Sequence, residues 1–155
     1  MKQALKQAFF ICLAGMVAGF SINAVSQNPL PFWRLPDTRG EKWPLLDAEE
    51  VMLRIEEGSA IVIDAREAQE YRLGHLPGAV NLPAADFETA FLAIGESLPR
   101  DFPLIVYCQG GPCAESHDVL DYLSQYDFQD LFLYPGGWLE WKQRDMPCET
   151  PGEEP

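Results

Sequence analysis

Short apolar runs alternate along this chain with longer amphipathic segments. The apolar runs cover residues 61–63, 79–82, 104–107 and 131–134. Runs of this length are typical of strands that are buried on both faces of a sheet. The segments between them have helical length and cover residues 67–73, 84–94 and 114–126. This alternation predicts an α/β fold with about five mostly parallel strands, flanked by crossover helices.

Local signals place two further helices and orient a third. A helix is predicted to begin at Asp47, because Asp47 and Glu50 have the spacing of a capping box, and to end at Gly58. A short helix is predicted over residues 137–144. In the segment 114–126, one apolar stripe is predicted to pack on the sheet, and it consists of Val119, Tyr122, Leu123 and Tyr126.

The first 26 residues predict a hydrophobic helix that directs the chain to a membrane. Lys2 and Lys6 precede an uncharged stretch of 13 residues, 8–20, which extends to 18 if it runs to residue 25. The shorter length suits a cleaved signal peptide and the longer one a single transmembrane anchor, so both remain open. The two lysines predict a cytoplasmic N-terminus. We therefore expect the folded part to be anchored or secreted on the non-cytoplasmic, periplasmic side.

The remainder divides into a tether, a domain and a tail. Residues 27–44 are rich in Pro and Trp, which predicts an extended tether whose aromatic rings lie against a membrane surface or the domain. Residues 45–149 have the pattern of the domain, and residues 150–155 form a polar tail. A chain of 155 residues has room for one such domain.

Composition excludes several classes of partner. The chain has 24 Asp and Glu against 11 Lys and Arg, a net charge of −13. This balance argues against nucleic acids and anionic lipid headgroups, because both are bound through basic patches. A hydrophobic content of 47% excludes a disordered chain.

A cysteine directly follows the apolar run at 104–107, where parallel strands present their ligand-binding loops. Cys108 precedes Gly110, Gly111 and the start of a helix. Glycines let successive backbone N–H groups form an anion-binding nest, and the helix dipole adds positive charge. Both effects would lower the pKa of the Cys108 thiol and favour the nucleophilic thiolate. Cys108 is therefore the candidate nucleophile, with an inert buried cysteine as the alternative.

Three blocks of the sequence resemble the signatures of rhodanese-like domains. The first block joins Asp64-Ala65-Arg66 to residues 70–83, which read Glu-Tyr-Arg-Leu-Gly-His-Leu-Pro-Gly-Ala-Val-Asn-Leu-Pro. The second is Tyr107-Cys108, and the third is Tyr134-Pro135-Gly136-Gly137-Trp138 with Trp141. The resemblance covers roughly residues 45–149.

The resemblance implies a three-layer domain and a sulfurtransferase of the thiosulfate or thiol type. Cys108 would take a sulfane sulfur from a small donor, hold it as a persulfide and pass it to a thiol or another thiophilic acceptor. The loop amides would stabilise the thiolate and the persulfide without a metal, and no cofactor is expected. The substrate-binding loop would consist of Gln109, Gly110, Gly111, Pro112 and Cys113.

The loop departs from the family pattern in its charge. Family members usually carry an arginine near the end of this loop, whereas this chain has Cys113 and no Arg or Lys between Cys108 and Lys142. The missing cation disfavours thiosulfate as the donor. It also disfavours phosphatase chemistry, which needs a Cys-x5-Arg loop to bind phosphoryl oxygens bidentately.

Cys113 opens a second possible function. It follows Cys108 by five residues, which allows a loop disulfide, and an oxidising compartment would favour that bond. Cys113 would then resolve a persulfide or sulfenate on Cys108, in a module for redox relay or partner binding. The alternative is a passive residue in the first turn of the helix. Cys148 would be left as a surface thiol open to intermolecular exchange.

Three further residues are candidate supporting groups. Asp64 could orient the active loop together with Arg66, although a buried structural ion pair is the favoured interpretation. His75 could transfer a proton, but bonding to a loop or strand end is the favoured role. His117 and Cys113 provide too few ligands for a closed zinc site, so no metal is expected.

Overall fold

The chain forms a parallel sheet with helices on both faces, in a computed structural model that describes residues 42–111 and 113–150. Its strands are β1 (Ile61–Asp64), β2 (Val80–Asn81), β3 (Leu104–Tyr107) and β4 (Leu131–Tyr134), all parallel, in the order β2-β1-β3-β4. The helices are α1 (Ala48–Glu57), α2 (Ala68–Leu73), α3 (Phe87–Ile94, after a 3-10 turn at Ala84–Asp86), α4 (Glu115–Gln125) and α5 (Gly137–Gln143). The predicted α/β class is confirmed.

The register of the sheet aligns three strand ends at one edge. Asp64 of β1 lies beside Tyr107 of β3, and Tyr107 lies beside Tyr134 of β4. Because the strands run in the same direction, the loops that lead to α2, α4 and α5 all begin at this edge. Cys108 follows Tyr107, so the candidate nucleophile lies at the central position of the edge.

No fifth strand occurs in the described part of the chain, where a single bridge lies beside β4 instead. Leu45 pairs with Leu133 in an isolated parallel β-bridge. The Leu46 N–H donates to the Leu133 carbonyl oxygen, and the Leu133 N–H donates to the Pro44 carbonyl oxygen, both at 2.9 Å. Pro44 has no N–H to donate and α1 begins at Ala48, so the pairing cannot lengthen. The described sheet therefore has four strands rather than about five.

The two faces of the sheet bury separate apolar cores. One core contains residues from α3 and α4, and the other contains residues from α1 and α5. Successive strand residues point to opposite faces. Val106 and Cys108 accordingly belong to the core of α3 and α4, whereas Tyr107 belongs to the core of α1 and α5.

The buried stripe of α4 differs from the predicted one. Val119 and Leu123 are buried as expected, but Tyr122 and Tyr126 are 41% and 43% exposed. Leu120 is fully buried and belongs to the same core as Val119 and Leu123. A tyrosine ring can cover the margin of a core while its hydroxyl stays in water, which is why it is a poor marker of full burial.

Several predictions concern the chain ends, which lie outside the described residues. These are the hydrophobic segment 1–26, residues 27–41 of the tether and residues 151–155 of the tail. Within 42–111 and 113–150, no helix has the length and apolar character needed to cross a bilayer. Trp43, at the end of the tether, packs against the core of the domain.

The cap of α1 can be tested directly. The Glu50 N–H donates to the Asp47 carboxylate at 2.9 Å, and the Asp47 N–H donates to the Glu50 carboxylate at 3.3 Å. We expect Asp47→Ala to lower the free energy of unfolding by about 1 kcal/mol, because it removes the capping acceptor. Urea denaturation of the full chain measures this loss. Asp47→Asn keeps an acceptor oxygen and should cost clearly less, and equal losses in the two variants would contradict the capping role.

Candidate active site

Cys108 directly follows β3 and forms a disulfide with Cys113. The Cys108 side chain is only 3% exposed, and the two Cα atoms are 6.7 Å apart, within the range of protein disulfides. The structure thus joins the two cysteines for which the sequence left a disulfide open. In this oxidised form neither sulfur is a thiolate, so a reduction must precede any nucleophilic step.

The loop after Cys108 is held by the start of α5. The Trp138 N–H donates to the Cys108 carbonyl oxygen and the Leu139 N–H to the Gln109 carbonyl oxygen, both at 2.9 Å. Gly110 has φ +108° and Gly137 has φ +57°, and a Cβ at either would collide with backbone of the facing segment. These glycines are needed because two backbone segments touch there. Pro112, predicted as part of the loop, lies outside the described residues.

Ser116 is a site residue that the sequence analysis missed. Its side chain is 2% exposed, and its hydroxyl donates to the Cys108 sulfur at 3.4 Å. Ser116, Leu120 and Leu123 lie on the same side of α4, so Ser116 extends the buried stripe to the amino end of the helix. The sequence did contain a signal for Ser116. It is a small polar residue in line with a buried stripe, eight positions after the candidate nucleophile.

Three potential metal ligands meet at the disulfide. One donor atom each from Cys108, Cys113 and Glu115 lies within 4.8 Å of the others. Cysteine binds metals as a thiolate, so the disulfide form offers no sulfur ligand. A structural zinc site also has four protein ligands, and this set has three. The third potential ligand is Glu115, and not the His117 that the sequence placed near Cys113. We assign no metal to this cluster.

Asp64 and Arg66 form a buried ion pair at the end of β1. The Arg66 guanidinium donates three bonds to the Asp64 carboxylate, at 3.0, 3.2 and 2.5 Å, and a fourth to the Gly74 carbonyl oxygen at 2.8 Å. The Tyr107 hydroxyl donates to the same carboxylate and accepts from the Leu76 N–H at 3.2 Å. Burial and the Asp64 charge raise the pKa of Tyr107 well above its usual range, so its hydroxyl stays protonated.

This ion pair supports the site from the opposite side of the sheet. Burial alone would lower the pKa of Arg66, but the hydrogen bonds and charge of Asp64 outweigh that effect and raise it. The Arg66 guanidinium lies 4.8 Å from the centre of the Trp138 ring. Trp138 belongs to α5, and its N–H donates to the Cys108 carbonyl oxygen. The ion pair therefore contacts α5 and not the Cys108 sulfur. Asp64 and Arg66 are therefore brought to the site as structural supports.

His75 fastens the end of the domain. Its Nδ1 lies 3.0 Å from the Tyr71 carbonyl oxygen, and its ring stacks on the Tyr71 ring with 3.8 Å between centres. Backbone hydrogen bonds of 2.9 Å pair His75 with Glu149 in an antiparallel bridge. The Glu149 carboxylate also accepts from the Gly78 N–H at 2.8 Å. Glu149, the last residue of the predicted domain, is thus bound to the rest of the domain.

Cys148 is exposed and free, as predicted for a surface thiol. The Lys142 ammonium lies 3.8 Å from its sulfur. This position makes Cys148 a convenient internal reference for measurements of thiol reactivity at the active site.

The buried ion pair generates a stability prediction. Asp64→Asn leaves the Arg66 charge buried without its counter-ion, and we expect a loss of about 3–5 kcal/mol in the free energy of unfolding. Asp121→Asn is the matched control, since Asp121 pairs with Lys42 at 2.7 Å in solvent and should contribute below about 1 kcal/mol. Chemical denaturation of both variants measures the difference. Similar small losses would show that the pair does not hold this edge together.

Ser116 generates a reactivity prediction. After reduction, its hydroxyl can donate to the Cys108 thiolate, and hydrogen bonds to charged groups contribute about 1.5–3 kcal/mol. We expect Ser116→Ala to slow alkylation of Cys108 by iodoacetamide about tenfold at neutral pH, because less thiolate is present. Site-resolved peptide mass spectrometry gives the rate. Ser116→Thr retains a hydroxyl and should restore much of it, whereas an unchanged rate in Ser116→Ala would contradict the assignment.

Comparison with known proteins identifies relatives of this chain. The 3-mercaptopyruvate sulfurtransferase of Escherichia coli (strain K12) is 33% identical over 122 residues, which cover 64% of this chain and 43% of that protein. An HTH-type transcriptional regulator of Mycobacterium tuberculosis is 26% identical over 113 residues, which cover 73% of this chain and 48% of that protein. The chain therefore spans less than half the length of these curated relatives.

A solved structure and a family model agree with the architecture. The crystal structure of the BH2092 protein from Bacillus halodurans aligns with a TM-score of 0.61 at 24% identity, covering 69% of this chain and 77% of that chain. The family model described as the rhodanese-like domain matches residues 47–144, from the cap of α1 to the end of α5. On this match, which includes all four strands and the Cys108 loop, the chain belongs to the rhodanese-like domain family.

Proposed function

We propose that this domain is a sulfurtransferase that carries a sulfane sulfur on Cys108. The observation that carries the proposal is the position of the Cys108 sulfur, at the central strand end and within reach of both the Ser116 hydroxyl and the Cys113 sulfur. A nucleophile at the carboxyl end of a parallel strand lies where this class of sheet receives its ligands. The likeness to a protein named 3-mercaptopyruvate sulfurtransferase supports the same reaction class.

The first step loads the sulfur. The Cys108 thiolate attacks the sulfane sulfur of the donor, a new S–S bond forms, and the bond between that sulfur and the rest of the donor breaks. The leaving group departs with the electron pair of the broken bond. Cys108 is left as a persulfide, whose terminal sulfur carries the negative charge. The Ser116 hydroxyl stabilises the thiolate before this step.

The second step transfers the terminal sulfur to the acceptor. The thiolate of an acceptor attacks the terminal sulfur of the persulfide, the acceptor becomes a persulfide, and Cys108 leaves as a thiolate. No net oxidation or reduction occurs in this cycle, and no metal or cofactor is required. The hydrogen bonds from α5 to the loop carbonyls keep the position of Cys108 unchanged through both steps.

Cys113 provides a second route by which the persulfide can react. Its thiolate can attack the inner sulfur of Cys108, which forms the Cys108–Cys113 disulfide and releases the outer sulfur as hydrosulfide. This route transfers two electrons to the departing sulfur, so an external dithiol must reduce the disulfide before the next cycle. The observed disulfide is the product that this route would leave.

A thiol-redox module is the second candidate function, and the same disulfide favours it. In this role Cys108 and Cys113 exchange two electrons with a partner dithiol and carry no sulfur atom. An oxidising compartment would stabilise the disulfide. The non-cytoplasmic, membrane-anchored or secreted location expected from residues 1–26 would provide one, and that location stays a prediction.

Substitution of each cysteine separates the two functions. The reduced full chain is incubated with a sulfane donor, and the persulfide is measured as a mass gain of one sulfur on Cys108, followed by transfer to a thiol acceptor. For a sulfurtransferase, Cys108→Ser abolishes the mass gain and turnover, whereas Cys113→Ser retains them. For a redox module, both substitutions abolish disulfide exchange with a dithiol and no sulfur is gained.

The controls distinguish chemistry from misfolding. Cys148→Ser changes an exposed thiol outside the loop and should leave either activity intact. Absence of the mass gain in the unsubstituted chain, with both an uncharged and an anionic donor, would overturn sulfur transfer and leave the redox role.

A further inference from the structure

We infer that Glu115 makes the sulfur site select against anionic reactants, so that its donors and acceptors are uncharged or cationic sulfur compounds. This inference rests on the proposed sulfur transfer at Cys108 and adds to it the charge class of the substrate. It concerns a residue that stands outside the predicted loop, since the loop was expected to end at Cys113.

The position of the Glu115 carboxylate carries the inference. Glu115 is the first residue of α4 and is exposed. One of its oxygens lies within 4.8 Å of the sulfurs of Cys108 and Cys113. A reactant that approaches either sulfur must therefore pass close to a fixed negative charge.

The same carboxylate cancels the feature that would otherwise attract an anion. The N-terminus of a helix carries partial positive charge and favours negative groups. At α4 the first turn already holds Glu115 and Asp118. The protein's own carboxylates thus occupy the favourable field that an anionic donor would use.

Two described cations could be considered for binding an anion at the site, Lys142 and Arg66, and both have other partners. No Lys or Arg occurs between Cys108 and Lys142. The Lys142 ammonium lies 3.8 Å from the Cys148 sulfur, and Arg66 is buried against Asp64 on the other face of the sheet. The surface beside the loop is also partly apolar, since Leu139, whose N–H donates to the loop, is 48% exposed. An uncharged organic sulfur compound therefore matches this surface better than a small dianion such as thiosulfate does.

The size of the effect follows from Coulomb's law. Two unit charges of equal sign about 5 Å apart repel by about 0.8 kcal/mol in a medium with the dielectric constant of water, which is about a fourfold change in rate. A partly buried reactant experiences a lower dielectric constant and a larger effect. Salt screens the exposed part of the interaction.

A pair of alkylating reagents that differ in charge tests the inference without relying on sulfur transfer. The reduced full chain is treated with iodoacetate or with iodoacetamide, and peptide mass spectrometry gives the rates at Cys108, Cys113 and Cys148. The quantity compared is the ratio of the iodoacetate rate to the iodoacetamide rate at each thiol. Glu115→Gln removes the charge with little change in shape, and Asp118→Asn removes another exposed carboxylate from the same turn.

We expect Glu115→Gln to raise this ratio about fourfold or more at Cys108 and Cys113, and the increase should shrink at high salt. The ratio at Cys148 should stay unchanged in Glu115→Gln, and Asp118→Asn should change the ratios at the loop thiols much less. An unchanged ratio in Glu115→Gln, or an equal increase in Asp118→Asn, would overturn the role of Glu115.

A second readout relates the effect to sulfur transfer. Sulfur loading of Cys108 is compared for thiosulfate and for an uncharged organic trisulfide, in the unsubstituted chain and in Glu115→Gln. Attack on the outer sulfur of thiosulfate leaves a persulfide and releases sulfite, whereas attack on the central sulfur of the trisulfide leaves a mixed trisulfide on Cys108 and releases one organic thiolate. We expect the substitution to raise the thiosulfate rate selectively. If Cys108 gains sulfur but the relative rates do not change, the inference fails and the proposed function stands. If neither donor adds sulfur to Cys108 in either protein, the sulfurtransferase proposal fails, and with it the assigned substrate class.

Discussion

The contact between the Cys108 loop and the start of α5 is the constraint on which the site depends. Two amides of α5 donate to the carbonyl oxygens of Cys108 and Gln109. The segments approach so closely that a Cβ at Gly110 or Gly137 would collide with backbone atoms. The candidate nucleophile is therefore positioned by main-chain contacts, which leaves its sulfur free for the chemistry proposed for it.

The sheet separates the supporting groups from the reacting groups. Tyr107 and Cys108 are neighbours in sequence, but strand geometry sends their side chains into different cores. The charged support, Asp64 with Arg66, is buried beside Tyr107 and braces α5 through the Trp138 ring. The Cys108 sulfur, to which we assign the sulfur transfer, lies on the other face, where the buried Ser116 hydroxyl donates to it. This buried ion pair is therefore kept away from the Cys108 sulfur, whereas an oxygen of the exposed Glu115 carboxylate lies within 4.8 Å of that sulfur.

The accuracy of the sequence predictions depended on whether the relevant interactions were local. The capping box of Asp47, the end of α1 at Gly58 and the strand runs needed only neighbouring residues, and they are confirmed. The α4 stripe was partly wrong because the burial of Tyr122 depends on how far α3 extends over the helix margin. The contacts of Glu149 could not be predicted because its partner, His75, lies more than seventy residues away in sequence. Ser116 was missed because its value as a donor arises only when α4 packs beside the end of β3.

The sequence by itself determined the α/β class, the order of the elements and the identity of Cys108 as the candidate nucleophile, because periodicity, caps and strand-end motifs are encoded within short windows. Only the tertiary structure decided that Cys108 is joined to Cys113, that Ser116 and Glu115 lie beside these sulfurs, and that Asp64 and Arg66 act from the opposite face. Those relations depend on the direction in which each side chain leaves its strand or helix. Such directions are fixed only when the sheet register and the packing of both helical layers are in place.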